Sequence, residues 1–61
     1  MNERADEYRG DICERLRDTG QEWLADSVGG LSDEFIQDLG ESARWSVDVA
    51  VDYFMHGGVE R

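Results

Sequence analysis

Apolar residues recur along this chain at intervals of three and four. Ala5, Tyr8, Ile12 and Leu16 follow one another at helical spacing, with Cys13 beside them, and predict a helix over about residues 2–18. At about 100° per residue they share one face. Gly10 lies inside this segment and costs about 1 kcal/mol relative to alanine, which leaves room for a kink or a close contact there. Trp23, Leu24 and Val28 give a shorter apolar face over about 20–28, and Phe35, Ile36 and Leu39 another over about 33–39. Residues 43–58, ARWSVDVAVDYFMHGG, read two ways. Trp45, Val47, Val49, Val51 and Tyr53 alternate as a half-buried strand would. A lone strand leaves its backbone groups unpaired, however, and no other segment alternates, so only a second copy could pair with it.

As a helix over about 41–56 the same letters organise better. Arg44, Asp48, Asp52 and His56 fall four apart in one polar stripe with opposite charges adjacent at each end. Ala43, Val47, Val49, Ala50, Val51, Tyr53 and Phe54 spread over the other side in an arc of about 200°. So wide an arc suits a central helix enclosed by the three others. Packing must hold it, because β-branched residues are weak helix formers.

Capping signals punctuate the pattern. Thr19 and Glu22 have the spacing of a capping box, and Leu31 and Ile36 that of a hydrophobic staple. Ser32 is a good N-cap, followed by Asp33 and Glu34 in the first turn, where the helix dipole favours anions. Glycines at 20, 29–30, 40 and 57–58 mark the ends, with Gly29-Gly30 and Gly57 placed to supply C-caps. Gly40 either bends one long helix over 33–56 or separates two. The expected fold is all-α: one domain, 1–61, a compact bundle of three to four short helices.

Length sharpens this picture. A chain of 61 residues buries only about 60% of the surface its unfolded form exposes. A single cysteine allows neither an internal disulfide nor a zinc cluster. Stability must come from helix packing, self-association or a partner. No apolar run approaches about 18 residues, the length of a membrane span. The charged start, MNERADEYRGD, has no apolar signal core, and together with the lone cysteine it suggests the cytoplasm.

Charge changes the picture most. Fifteen Asp and Glu face six Arg with no Lys, for a net charge of −9. That field repels nucleic acid and anionic membranes and speeds encounters with basic surfaces. Solubility, or adaptation to a salty cytoplasm, would produce it too. Residues 1–18 hold six acids and four arginines, net −2, while residues 19–61 hold nine acids and two arginines, net −7. On the first helix Glu3, Glu7, Asp11, Glu14 and Asp18 form an outer stripe. The more purely anionic surface lies later, and the candidate partner-binding residues are Glu22, Asp26, Asp33, Glu34, Asp38, Glu41, Trp45, Asp48 and Asp52. As a helical residue Trp45 falls on the polar side, near Asp52 and His56. It is either an interface anchor or a ring covered by another helix or a second copy.

Candidate chemistry adds little. Asp52 and His56 could form half a metal site but lack further ligands. Cys13 reads as a small buried hydrophobe. Ser27, Ser32, Ser42 and Ser46 sit in no nucleophile elbow, and no glycine pair leads into a phosphate loop. No enzyme, metal or cofactor is expected. In length, charge, absence of lysine and compact helicity the chain resembles small acidic inhibitors of phages and other mobile elements, including anti-CRISPR proteins and DNA mimics. The resemblance implies a non-enzymatic inhibitor that blocks a nucleic-acid-binding effector complex in a host cytoplasm through a basic protein surface, without touching nucleic acid itself. The alternative is a small structural or regulatory module that forms a homodimer or docks on a larger subunit.

Overall fold

A computed structural model describes residues 3–56 and builds them into four helices: α1 (Glu3–Asp18), α2 (Glu22–Gly29), α3 (Asp33–Ser42) and α4 (Val47–Met55). No strand occurs among the described residues. The predicted all-α bundle is therefore correct, with a Cα radius of gyration of 10.3 Å, close to the roughly 10 Å of a folded chain this size. The expected start at Asn2 and the C-cap expected at Gly57 lie outside the described residues.

The hub is α1, and this corrects the expectation that the last helix is central. Helices α2, α3 and α4 each pack on α1. Only α1 is long enough to serve: its 16 residues span about 24 Å at 1.5 Å per residue. It buries Ala5, Tyr8, Ile12, Cys13 and Leu16. Against them lie Leu24, Ala25 and Val28 of α2, Ile36 and Gly40 of α3, and Ala50, Val51 and Phe54 of α4. Gly10 is exposed, α1 continues through it, and it makes no close contact, since a Cβ there would meet nothing within 4 Å.

Two helix ends share one design. At the end of α1, Gly20 takes φ +82°, its N–H donates to Arg17 O at 3.0 Å, and the Gln21 N–H donates to Leu16 O at 2.8 Å. This is the paired bonding of a Schellman motif. It draws Thr19 into the end of α1, where Thr19 Oγ1 donates to Leu16 O at 2.8 Å. The predicted Thr19–Glu22 capping box therefore does not form. Gln21 is the N-cap of α2 and gives it no side-chain bond.

The same motif closes α3. The Arg44 N–H donates to Glu41 O at 3.4 Å, and the Trp45 N–H donates to Gly40 O at 2.6 Å. Arg44 and Trp45 both adopt positive φ, +55° and +60°. The helix predicted over 41–56 is therefore interrupted: α3 runs through Gly40 to Ser42, and α4 begins anew at Val47. Ser46 caps it by accepting the Val49 N–H at 3.3 Å. Ser32 does the same for α3, accepting the Phe35 N–H at 3.2 Å. Gly29 and Gly30 do not supply the expected left-handed residue. Gly29 is helical and Gly30 has φ −91°.

A left-handed non-glycine residue costs about 1–2 kcal/mol. Arg44→Gly should therefore stabilise the fold by about 1 kcal/mol. In a chain this short that raises the melting midpoint by about 4–8 °C. An unchanged or lowered midpoint by circular dichroism would mean that Arg44 contributes contacts that outweigh its strain.

Candidate partner-binding surface

Six of the nine candidate residues lie on α2 and α3, and the fold treats them unequally. Asp26, Asp33 and Asp48 are each met by an arginine of α1. Arg17 approaches Asp26 of α2 at 3.9 Å, Arg9 pairs with Asp33 of α3, and Arg15 pairs with Asp48 of α4. Arg9 also holds Asp6 at 2.9 Å. The four arginines near the start of the sequence thus have a structural role, with one ion pair to each surrounding helix and Arg4 on Trp45. The Arg15–Asp48 and Arg17–Asp26 pairs are exposed and contribute about 0–1 kcal/mol each. The larger effect of the three inter-helix pairs is to neutralise three of the acids that the sequence assigns to a partner. The expected pairing of Arg44 with Asp48 does not occur, because Arg44 sits in the turn and Asp48 faces Arg15. Asp52 and His56 do meet, at 3.1 Å, with both side chains well exposed.

Glu34, Asp38 and Glu41 escape this neutralisation. All three are exposed, and no arginine pairs with them among the described residues. Glu41 accepts a hydrogen bond from Gln37 Nε2 at 3.2 Å. Spaced four and three apart, they form one stripe of α3 about 60° wide and about 10 Å long. Glu22, the first residue of α2, is exposed as well. On α1 the stripe of Glu3, Glu7, Asp11, Glu14 and Asp18 is likewise exposed.

Trp45 is half-buried and packs on its own chain. Its ring lies edge-to-face with Tyr8, centroids 5.1 Å apart and planes at 67°. The Arg4 guanidinium sits 4.2 Å from the ring centroid. Beneath it is Gly40, where a Cβ would come within 2.5 Å of the ring. Tyr8 completes the corner by donating its hydroxyl to Ser46 O at 2.7 Å, and burial pushes its phenol above the ordinary pKa of 10.0. Of the two roles open to Trp45, coverage by another helix is the one the fold supplies.

The most exposed aromatic among the described residues is Trp23, 66% exposed, with its indole N–H donating to Gln21 Oε1 at 3.1 Å. It was expected on the apolar face of α2, but that helix is short and buries only Leu24, Ala25 and Val28. Phe35, Val49 and Tyr53 were also expected inside and are 38%, 52% and 42% exposed. The reason is that α3 and α4 each pack chiefly on α1 and make few contacts with one another. The space between them is a cleft of about 320 Å³ lined by Phe35, Asp38, Leu39 and Ser42 of α3, and by Val49 and Tyr53 of α4. Asp38 thus belongs both to the acidic stripe and to the cleft.

Cys13 is buried, with its thiol 3.3 Å from Ala25 O. Burial raises its pKa above the ordinary 9.0, against weaker opposing effects of Arg17 and Arg9. It is a core residue. Among the described residues no three His, Cys, Asp or Glu side chains gather in a way that could hold a metal ion, and no helix is long and apolar enough to cross a membrane. No protein-family model, curated protein or solved structure matches the chain.

Proposed function

We propose that this chain is a non-enzymatic binding module. It inhibits a basic, nucleic-acid-handling protein or complex by covering a cationic surface with the carboxylates of α3. The supporting observation is the stripe of Glu34, Asp38 and Glu41, left without arginine partners among the described residues in a fold whose α1 arginines pair with one acid on each of the other helices. The net charge of −9 accelerates encounter with such a surface and repels nucleic acid itself. The module thus competes with nucleic acid for a groove on the partner, in the manner of the small acidic phage inhibitors it resembles, and acts in the cytoplasm where such partners work.

Strict imitation of a DNA backbone is the less favoured form of this reading. Duplex DNA carries a charge about every 1.7 Å of axis, whereas carboxylates one helical turn apart are separated by about 5–6 Å. Docking on a larger subunit through apolar surface is favoured by a separate observation, the wet apolar cleft between α3 and α4. Self-association is opposed by the charge each copy carries.

Capture of a partner from a lysate of the source cells, repeated across a salt series, tests the proposal. The partner should be held at about 0.1 M salt and released toward about 1 M, as the screening length falls from about 10 Å to about 3 Å. Retention indifferent to ionic strength would exclude the electrostatic mechanism.

A further inference from the structure

The acidic stripe alone does not account for the cleft beside it. In a chain with so small an interior, Phe35, Val49 and Tyr53 are large side chains left more than a third exposed, and Leu39 lies between them only partly covered. Their positions are a consequence of the hub. α3 turns Ile36 and Gly40 onto α1, and α4 turns Ala50, Val51 and Phe54 onto it. The faces one step around each helix are left looking into the space between them. Two helices packed on a common support with an open cleft between them form a groove of the kind that receives the apolar face of another helix. The cleft is open to solvent, so it takes side chains presented from outside. A small molecule there would stay largely wet, whereas ligand pockets bury about 70–90% of their occupant.

The rim identifies the occupant. Of the six carboxylates of residues 33–56, Asp33 and Asp48 are met by Arg9 and Arg15 and Asp52 meets His56, which leaves Glu34, Asp38 and Glu41 without a cationic partner among the described residues. Asp38 lines the cleft itself, and Glu34 lies one turn before it on the same stripe. A second copy of this chain would set one such rim against another, with −9 on each molecule, and an anionic lipid surface is repelled on the same ground.

We propose that the cleft between α3 and α4 seats an amphipathic helix of a cationic partner protein. That helix places aliphatic or aromatic side chains at i, i+3 or i+4, and i+7 against Phe35, Leu39, Val49 and Tyr53, and sets lysines or arginines beside Asp38 and Glu34. This deepens the reading of the chain as a binding module and rests on it. Binding takes the apolar floor out of water, while the flanking cations meet carboxylates that no arginine of α1 engages at Glu34 and Asp38.

The test uses the full chain and a synthetic Leu/Lys peptide of about four helical turns, with its leucines on one face. One control permutes the same residues so that the leucines scatter around the wheel, and another replaces Lys by Glu. Binding is followed by amide NMR shifts. The expected result is binding of the one-faced Leu/Lys peptide with shifts centred on Leu39, Ala43, Val49 and Tyr53. The permuted peptide should bind about tenfold or more weakly, and the Leu/Glu peptide should not bind. Phe35→Gln combined with Val49→Thr changes exposed positions only; thermal melts verify that this variant folds, and its affinity should fall about tenfold.

Equal binding of the one-faced and permuted peptides would overturn the cleft and leave the electrostatic reading standing. Failure of both to bind would overturn both. Binding at the cleft that ignores salt would uphold the cleft and remove the electrostatic reading. Shifts centred on Trp23, or a peptide-independent dimer with the cleft at its interface, would overturn the proposal.

Discussion

Replacing Gly40 by alanine destabilises the fold, although Gly40 sits inside a helix, where alanine is ordinarily the better residue by about 1 kcal/mol. The reason is the Trp45 ring, which lies where the new methyl group would be, 2.5 Å away. The ring is fixed from three directions. The Schellman bonds place its backbone, Tyr8 meets its edge, and Arg4 covers it. Either the ring leaves this seat or α3 shifts away from α1. Overpacking of this kind costs about 1–3 kcal/mol, so the net loss is up to about 2 kcal/mol after the gain in helix propensity.

Gly10 supplies the control. It too is helical, but a Cβ there meets nothing within 4 Å, and Gly10→Ala should stabilise by about 1 kcal/mol. Urea unfolding followed by circular dichroism measures both. Opposite signs are expected; a stabilising Gly40→Ala would show that the Trp45 corner yields freely and fixes nothing.

A larger loss is expected at the hub. Ile12 is wholly buried in the middle of α1, within the cluster that also contains Leu16, Val28 and Ile36. Truncation to alanine removes three heavy atoms from a site on which helices converge, and such changes cost about 2–5 kcal/mol. A chain of this length has about 3–9 kcal/mol of stability in total. Ile12→Ala should therefore lose most of its cooperative melting transition and leave a large unfolded population at room temperature. Val49→Ala, at a position 52% exposed, should change stability by less than about 0.5 kcal/mol. Similar losses at the two positions would mean that α1 is not the hub.

These contrasts show what the sequence makes legible. The face of α1 can be read from Ala5, Tyr8, Ile12 and Leu16 because a long amphipathic helix repeats its signal over four turns. The Ser32 cap is legible because Ser-Asp-Glu encodes it locally. The break after Ser42 is not, since it depends on two non-glycine residues in left-handed conformation, stabilised by a ring contact five residues away from Gly40. One local signal was available: Ser46 followed by Asp48 in the first turn is the start of a helix, and it marks α4 correctly.

The binding surface was legible only as composition. The acids of residues 19–61 are evident in the sequence, but which of them stay unpaired depends on where Arg9, Arg15 and Arg17 reach across the bundle. The cleft was hidden for a related reason. Phe35, Val49 and Tyr53 carry the same apolar signal as core residues, and only the packing of α3 and α4 on α1 rather than on each other leaves them outside.

The association rate of the captured partner with two charge-neutralised variants decides whether α3 is the binding face. One variant combines Glu34→Gln, Asp38→Asn and Glu41→Gln. The other combines Glu7→Gln, Asp11→Asn and Glu14→Gln, which removes the same charge from the outer stripe of α1. None of these six acids is paired with an arginine among the described residues, so neither variant breaks a bridge between helices. Steering by a local field changes association rates by about tenfold or more. The α3 variant should slow association by about that factor while the α1 variant stays close to the parent. Equal slowing by both would show that net charge alone acts, and slowing by the α1 variant alone would move the binding surface to the opposite stripe.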